Sequence, residues 1–188
     1  RYKNTDGSAK ERQLLDRLNS HTFDRGSKTK TVVLDIEIQL NGTVGGNKKF
    51  DMVLLNTETR QIMFVEGNVF SDNRVNRAVG YSPEVIEQVN IYTAGIAEQA
   101  QNIAMQYAEH IHIINSVFGT AYEPNNSLLT TAKLLVYETP KKLNDNGRHT
   151  IESINAEIGA ENVMWVPSGE EPGIDEIWDY LAKGYKCK

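Results

Sequence analysis

Two acidic residues stand alone among apolar neighbours in a stretch that is typical of a β-hairpin. Asp51 and Glu66 lie within the apolar runs 49–55 and 62–68, and the polar residues 56–59 between these runs indicate a turn. Antiparallel pairing sets the start of one strand beside the end of the next, so the two carboxylates should meet at one edge of a sheet. A carboxylate beside an apolar core is costly unless a cation pairs with it. Two solvated strand ends are the plainer interpretation of each acid alone, but the pair favours a site for Mg²⁺, which binds one or two carboxylates together with water and phosphate oxygens.

The neighbours of both acids share their strand faces. Side chains repeat every two residues along a strand, which puts Lys49 on the face of Asp51 and Asn68 on the face of Glu66. Gly67 lies between Glu66 and Asn68, where it lets the backbone come close to a ligand.

The next long element is predicted to be a helix that brings polar groups to the same place. It should begin at Ser82 as the N-cap, with proline in its first turn, and run as far as Ile114. Gln88 and Tyr92 are four residues apart and therefore share a face. A glutamine on an apolar face needs hydrogen-bond partners, which could be a metal-bound water, a DNA backbone or simply loop carbonyls. In the polar segment 69–81, Arg74 and Arg77 could bind phosphate or could be solvated loop residues.

These motifs, in this order, resemble those of the PD-(D/E)XK nuclease superfamily. The matching segments are Phe50-Asp51, then Phe64-Val65-Glu66-Gly67-Asn68, then Gln88-Val89-Asn90-Ile91-Tyr92. In that superfamily an Asp opens one strand and a (D/E)-x-Lys motif closes the next, and the RecB-like branch adds Q-x-x-x-Y on the following helix. The resemblance covers roughly residues 8–167 by element order. One position departs from the pattern, since Asn68 stands where the motif has Lys.

The resemblance implies a Mg²⁺-dependent nuclease, with Mn²⁺ as a substitute, that cleaves phosphodiester bonds of DNA rather than RNA. The residues it assigns to catalysis are Asp51, Glu66, Asn68, Gln88 and Tyr92. Metal ligands would be Asp51, Glu66, the Gly67 carbonyl and Glu11, and the residues expected to contact nucleic acid are Lys49, Arg74 and Arg77. Glu11 has an alternative role, because Ser8 and Glu11 also form a capping-box pattern at the start of the first helix.

Asn68 leaves the activity open at this point. An amide donates hydrogen bonds but supplies no positive charge, so we expect weak or absent cleavage with metal binding retained, unless Lys49 substitutes from the neighbouring strand. The alternative is a catalytically silent nuclease-like module that binds nucleic acid or a protein partner. A third interpretation is an α/β interaction domain in which the acids are unrelated.

The amino-acid composition limits the classes of protein to which the chain can belong. The chain has 188 residues, of which 39% are hydrophobic and 24% charged, so we expect one soluble domain over residues 1–188. A net charge of −5 gives no general attraction to nucleic acid, so any such surface must be local. The single Cys187 excludes an internal disulfide framework and a cysteine-based zinc site. No apolar run approaches the about 20 residues of a membrane span and no signal-peptide pattern is visible, so we expect a cytoplasmic protein.

Periodicity predicts a mixed β-sheet flanked by helices, an α/β fold for which the resemblance implies a restriction-endonuclease-like core. The predicted order is helix, three strands, helix, strand, helix, strand and helix. The predicted strands are Thr31–Leu40, 49–55, 62–68, Lys133–Glu138 and Asn162–Pro167, and the predicted helices are Ala9–Leu18, 82–114, Thr150–Ile158 and Ile174–Ala182.

Overall fold

The computed structural model describes residues 13, 16–18, 28–40, 49–78, 80–124 and 127–183. The strands in these ranges are β1 (Thr31–Ile38), β2 (Phe50–Asn56), β3 (Gln61–Val69), β4 (Ser127–Leu128), β5 (Lys133–Thr139) and β6 (Val163–Pro167). The helices are α1 (Glu84–Phe118), α2 (Asp145–Ile158) and α3 (Ile174–Lys183), with a single 3₁₀ turn at Ala160–Asn162. Gln13 and residues 16–18 are also helical, within the first predicted helix.

The described strands form one mixed sheet in the order β1-β2-β3-β5-β6, and β4 also pairs with β3. β2 is antiparallel to both β1 and β3, whereas β4 and β5 run parallel to β3, and β6 runs parallel to β5. The predicted α/β class, with a mixed sheet flanked by helices, is confirmed.

The antiparallel half contains the predicted hairpin of β2 and β3. Its turn is held by a buried side chain, because Asn56 Oδ1 accepts hydrogen bonds from the N–H groups of Glu58 (3.0 Å) and Thr59 (2.9 Å). A side chain that occupies two backbone donors fixes the turn and, with it, the register of the two strands.

Both faces of the sheet are covered, and β3 alternates between two apolar cores. Ile62 and Phe64 pack with residues of α1 and α2, while Met63 packs with residues of α3 on the other face. Strands covered on both faces are usually apolar throughout. Glu66 and Asn68, which are 3% and 0% exposed, are therefore exceptions that need an explanation.

The ends of α1 differ from the prediction. The N-cap residue is Pro83 rather than Ser82, and no side chain caps this end. A loop carbonyl does so instead, because Arg74 O accepts a hydrogen bond from Val85 N at 3.1 Å. The helix passes the predicted end and stops where Gly119 adopts a left-handed conformation with φ 65°, which glycine adopts without strain.

Two further boundaries were predicted wrongly. α2 begins at Asp145 rather than at Thr150, because the Asn144 side chain accepts a hydrogen bond from Gly147 N at 2.8 Å and caps the helix one turn earlier. β4 lies outside all the predicted strands, and its two residues pair with the start of β3. A strand this short has no periodicity that a sequence pattern could reveal.

Among the described helices, none combines the length and apolar character that crossing a lipid bilayer would require.

The Asn56 turn leads to a first prediction, on stability. Asn56→Ala removes the acceptor of two backbone donors and should lower the free energy of unfolding by about 1–3 kcal/mol. Urea denaturation followed by circular dichroism measures this change. Thr59→Ala is the matched control, because Thr59 is exposed and its replacement leaves both turn bonds in place; it should change stability by no more than about 0.5 kcal/mol. Equal effects of the two substitutions would show that the Asn56 side chain does not hold the turn.

Candidate functional site

The candidate site lies where β2 and β3 separate. The last pair of their ladder is Met52–Val65, and the next positions on the two strands are Asp51 and Glu66. Beyond this pair, Gly67 N donates a hydrogen bond to Asp51 Oδ2 at 2.7 Å. The Asp51 carboxylate therefore satisfies a backbone donor of β3 after the ladder has ended, which holds it beside Glu66 and Gly67.

A chain of hydrogen bonds connects this end of the hairpin to α1. Gln88 Nε2 donates to Glu66 Oε1 at 2.6 Å and to the Tyr92 hydroxyl at 3.1 Å, and that hydroxyl donates to Lys49 O at 2.8 Å. The Tyr92 ring also packs on Phe50, with ring centroids 4.0 Å apart. Gln88 and Tyr92 share one helix face, as their spacing predicts, and both project toward the end of the hairpin that carries Asp51 and Glu66. The Gln88 amide nitrogen binds a carboxylate and a phenol rather than loop carbonyls.

These residues line a cavity of about 310 Å³. Its described lining residues are Lys49, Asp51, Glu66, Arg74, Glu84, Glu87, Gln88 and Tyr92. Four carboxylates outnumber two cationic side chains there, which favours binding of a cation over binding of a free anion.

Glu84 and Glu87 were not predicted to belong to the site. They lie in the first turn of α1, four and one residues before Gln88. The four-residue spacing of Glu84, Gln88 and Tyr92 is the sequence pattern that could have revealed Glu84, because such residues share one helix face. Glu87 has no comparable pattern, and only the packing of α1 against the hairpin brings it to the cavity.

The carboxylate of Asp51 is destabilised by its surroundings. Burial raises the pKa of Asp51 from 3.8 to about 6, the hydrogen bond from Gly67 N and the positive charge of Arg74 lower it in part, and Glu37 raises it. Burial, followed by the negative charge of Glu66, raises the pKa of Tyr92 well above its usual value. Tyr92 therefore remains a protonated phenol at neutral pH and can donate its hydrogen bond.

The three predicted cationic residues differ in position. Lys49 lines the cavity, but its side chain is half exposed and its Nζ lies 3.7 Å from Glu37 Oε2. Arg74 lines the cavity and is bound by Asp72. Arg77 is not among the residues that line the cavity, and it forms an ion pair with Glu84 instead.

Asn68 is only two residues away from Glu66 in the sequence, but its side chain does not line the cavity. Its side chain is completely buried, and neither its amide oxygen nor its amide nitrogen has a hydrogen-bond partner in the described part of the protein. It follows Glu66 on the same face of β3, as predicted, but it is enclosed by the core. Glu11, the remaining predicted ligand, lies outside the described residues.

Any metal ion bound in this cavity would have few ligands from the described part of the protein. Within the described ranges, no group of three or more His, Cys, Asp or Glu side chains is arranged to hold a metal ion. Mg²⁺ often takes only one or two carboxylates and completes its shell with water and phosphate oxygens. Glu66 is buried, and burial also raises the pKa of Asp51, so a divalent cation beside both would relieve an unfavourable charge distribution.

Comparison with known proteins finds neither a family model nor a curated protein that matches the chain.

The raised pKa of Asp51 predicts a pH-dependent effect of Asp51→Asn in metal-free buffer. The folded protein binds this proton more tightly than the unfolded chain, so the contribution of Asp51 to the free energy of unfolding falls as the pH rises from about 4 to about 6. Asn keeps an acceptor for Gly67 N and removes the charge, so above pH 6 the variant should be more stable, by at most about 3 kcal/mol. The gain should disappear below pH 4. Urea denaturation in EDTA from pH 4 to 8 measures this gain in stability. A gain that does not depend on pH would show that the charge of Asp51 is not its cause.

Proposed function

We propose that the chain is a Mg²⁺-dependent, nuclease-like protein that cleaves phosphodiester bonds of DNA and has the restriction-endonuclease-like core of the PD-(D/E)XK superfamily. One observation carries this proposal. Asp51, Glu66, Gln88 and Tyr92 come from three different elements, were predicted from strand and helix spacing together with the family resemblance, and line one cavity. In an interaction domain whose acidic residues are unrelated, we would not expect these acids to share one cavity with a glutamine and a tyrosine.

The ligands proposed for the ion are the carboxylates of Asp51 and Glu66 and the carbonyl of Gly67. When bound, Mg²⁺ would lower the pKa of a water molecule and polarise the scissile phosphate. Gln88 holds Glu66 in one orientation through the 2.6 Å hydrogen bond. A partner of this kind fixes the geometry of a metal-binding carboxylate.

The reaction is a hydrolysis. An oxygen from water forms a new bond to phosphorus, a bridging P–O bond breaks, and the leaving oxygen gains the proton that water loses. Negative charge accumulates on the non-bridging phosphate oxygens in the transition state, and a positioned cation stabilises that state most strongly there. Lys49 and Arg74 are the cationic side chains that line the cavity, and Asn68 cannot supply a charge. The preference for DNA over RNA is taken from the family resemblance.

A second candidate function is a nuclease-like module that binds a metal ion and nucleic acid without cleavage. It is favoured by Asn68, which replaces the motif lysine with a neutral and fully buried amide. The two candidates share the metal site and differ only in the chemical step.

Metal binding is the first test of the proposed function. We expect the wild-type protein to bind Mn²⁺, measured by isothermal titration calorimetry, and Asp51→Asn and Glu66→Gln to lose most of this affinity. Gln88→Leu should weaken it by about 10–100-fold, because it removes the support of a ligand and not a ligand itself. Glu152→Gln is the control, since this exposed glutamate lies on α2 outside the cavity lining. Unchanged affinity in both carboxylate variants would refute the metal site.

Cleavage is the second test, with plasmid, linear and single-stranded DNA as substrates, RNA of the same sequence for comparison and EDTA as the control. We expect slow cleavage by the wild-type protein. Asn68→Lys should raise the rate by up to ~10²–10³ if the charge is the missing part. Asn68→Met controls for the bulk of the side chain at this buried position. Robust wild-type cleavage that Lys49→Ala abolishes would assign the missing charge to Lys49, and Mn²⁺ binding without any cleavage in either protein would favour the silent module.

A further inference from the structure

The site lacks a positive charge at the position where the family pattern would supply it. Asn68 is neutral and enclosed, so the charge facing a phosphate in this cavity must come from another residue. The cationic side chains that line the cavity in the described ranges are Lys49 and Arg74. They differ in how firmly they are held.

Lys49 is loosely restrained. Its side chain is 51% exposed, and its contact with Glu37, at 3.7 Å, is a long surface ion pair. Such pairs restrict a flexible lysine little, because solvent screens the attraction and the side chain keeps many rotamers.

Arg74 is held in one place by Asp72 and by its own backbone. Asp72 Oδ1 accepts hydrogen bonds from Arg74 N (2.7 Å) and Nε (3.2 Å), and Asp72 Oδ2 accepts one from Arg74 Nη2 (2.9 Å). The Arg74 carbonyl accepts the N–H of Val85 at the start of α1. Asp72 occupies the Nε/Nη2 edge of the planar guanidinium, so the Nη1 edge is directed away from Asp72.

Arg74 lies in the same cavity lining as the residues proposed to hold and surround the ion, namely Asp51, Glu66 and Tyr92. Burial alone would raise the pKa of Asp72, but the hydrogen bonds and charge of Arg74 leave it below its usual value. Asp72 therefore stays ionised at neutral pH and keeps the guanidinium in position.

We propose that Arg74 is the phosphate-binding cation of this site, in place of the lysine that position 68 lacks, and that Asp72 is its positioning residue. The ligand is a phosphodiester group of a nucleic acid strand. This inference rests on the proposed function and deepens it by assigning the charge to Arg74, in the loop between β3 and α1, rather than to Lys49.

The first arm of the test measures binding without cleavage. Fluorescence anisotropy with single- and double-stranded DNA oligonucleotides, with Ca²⁺ in place of Mg²⁺ and at several salt concentrations, compares the wild-type protein with Arg74→Gln. The variant should bind DNA more weakly. The slope of the logarithm of the binding constant against the logarithm of the salt concentration should become shallower by about one, because one fewer counterion is released. Arg148→Gln is the matched control, because Arg148 is likewise paired with an aspartate, Asp145, but lies on α2 outside the cavity lining. It should retain the wild-type salt dependence.

The second arm measures single-turnover cleavage in Mg²⁺. Arg74→Gln should lower the rate by about 10²–10³-fold, and Arg74→Lys should restore part of it. Asp72→Asn should lower the rate less, and the double variant Asp72→Asn/Arg74→Gln should be no slower than Arg74→Gln alone. Residues that act as a unit have non-additive effects, whereas general structural damage would add to the loss.

The outcomes separate this inference from the proposed function. If the wild-type protein binds Mn²⁺ and cleaves DNA, and Arg74→Gln behaves like wild type in both arms, the inference is wrong and the proposed function stands. If Lys49→Gln causes the losses instead, the charge belongs to Lys49 and the inference is again wrong. If the protein binds DNA through Arg74 but does not cleave it, the inference is supported and the second candidate function, a module that binds without cleavage, is favoured. A protein that binds neither Mn²⁺ nor DNA would overturn both.

Discussion

The hydrogen bond from Gln88 to the buried Glu66 carboxylate is the interaction on which the site depends. A carboxylate that is 3% exposed between a sheet and a helix would be strongly unfavourable without a partner. The 2.6 Å contact supplies one, and it joins the hairpin to α1 at the same time. Gln88 also contacts Tyr92, whose hydroxyl donates to Lys49 O next to β2, so two side chains of α1 together fix the helix against both strands of the hairpin.

The topology explains why these groups meet at one edge of the sheet. β3 is antiparallel to β2 and parallel to β5, so it stands at the boundary between the two halves. In α/β folds, ligands bind beyond the carboxyl ends of strands, where connections to helices begin. The segment between β3 and α1 makes such a connection, and its residue Arg74 lines the same cavity as Glu66 and Gln88.

The charge distribution indicates an order of binding for the proposed ligands. The cavity lining has more carboxylates than cationic groups, in a protein with a net charge of −5. A phosphate would be repelled from such a surface until a divalent cation had neutralised part of it. The ion would therefore bind first, and a firmly held guanidinium would add charge and direction to the contact with the phosphate.

Sequence patterns by themselves determined the hairpin, the mixed α/β architecture and the pairing of Gln88 with Tyr92, because the periods of strands and helices are local properties. They could not show that Asn68 is enclosed, that Arg74 rather than Arg77 lines the cavity, or that Glu87 joins it. Each of these depends on how distant elements pack. Burial, the raised pKa of Asp51 and the restraint of a cationic side chain arise from neighbours far away in the chain, so only the tertiary structure decided them.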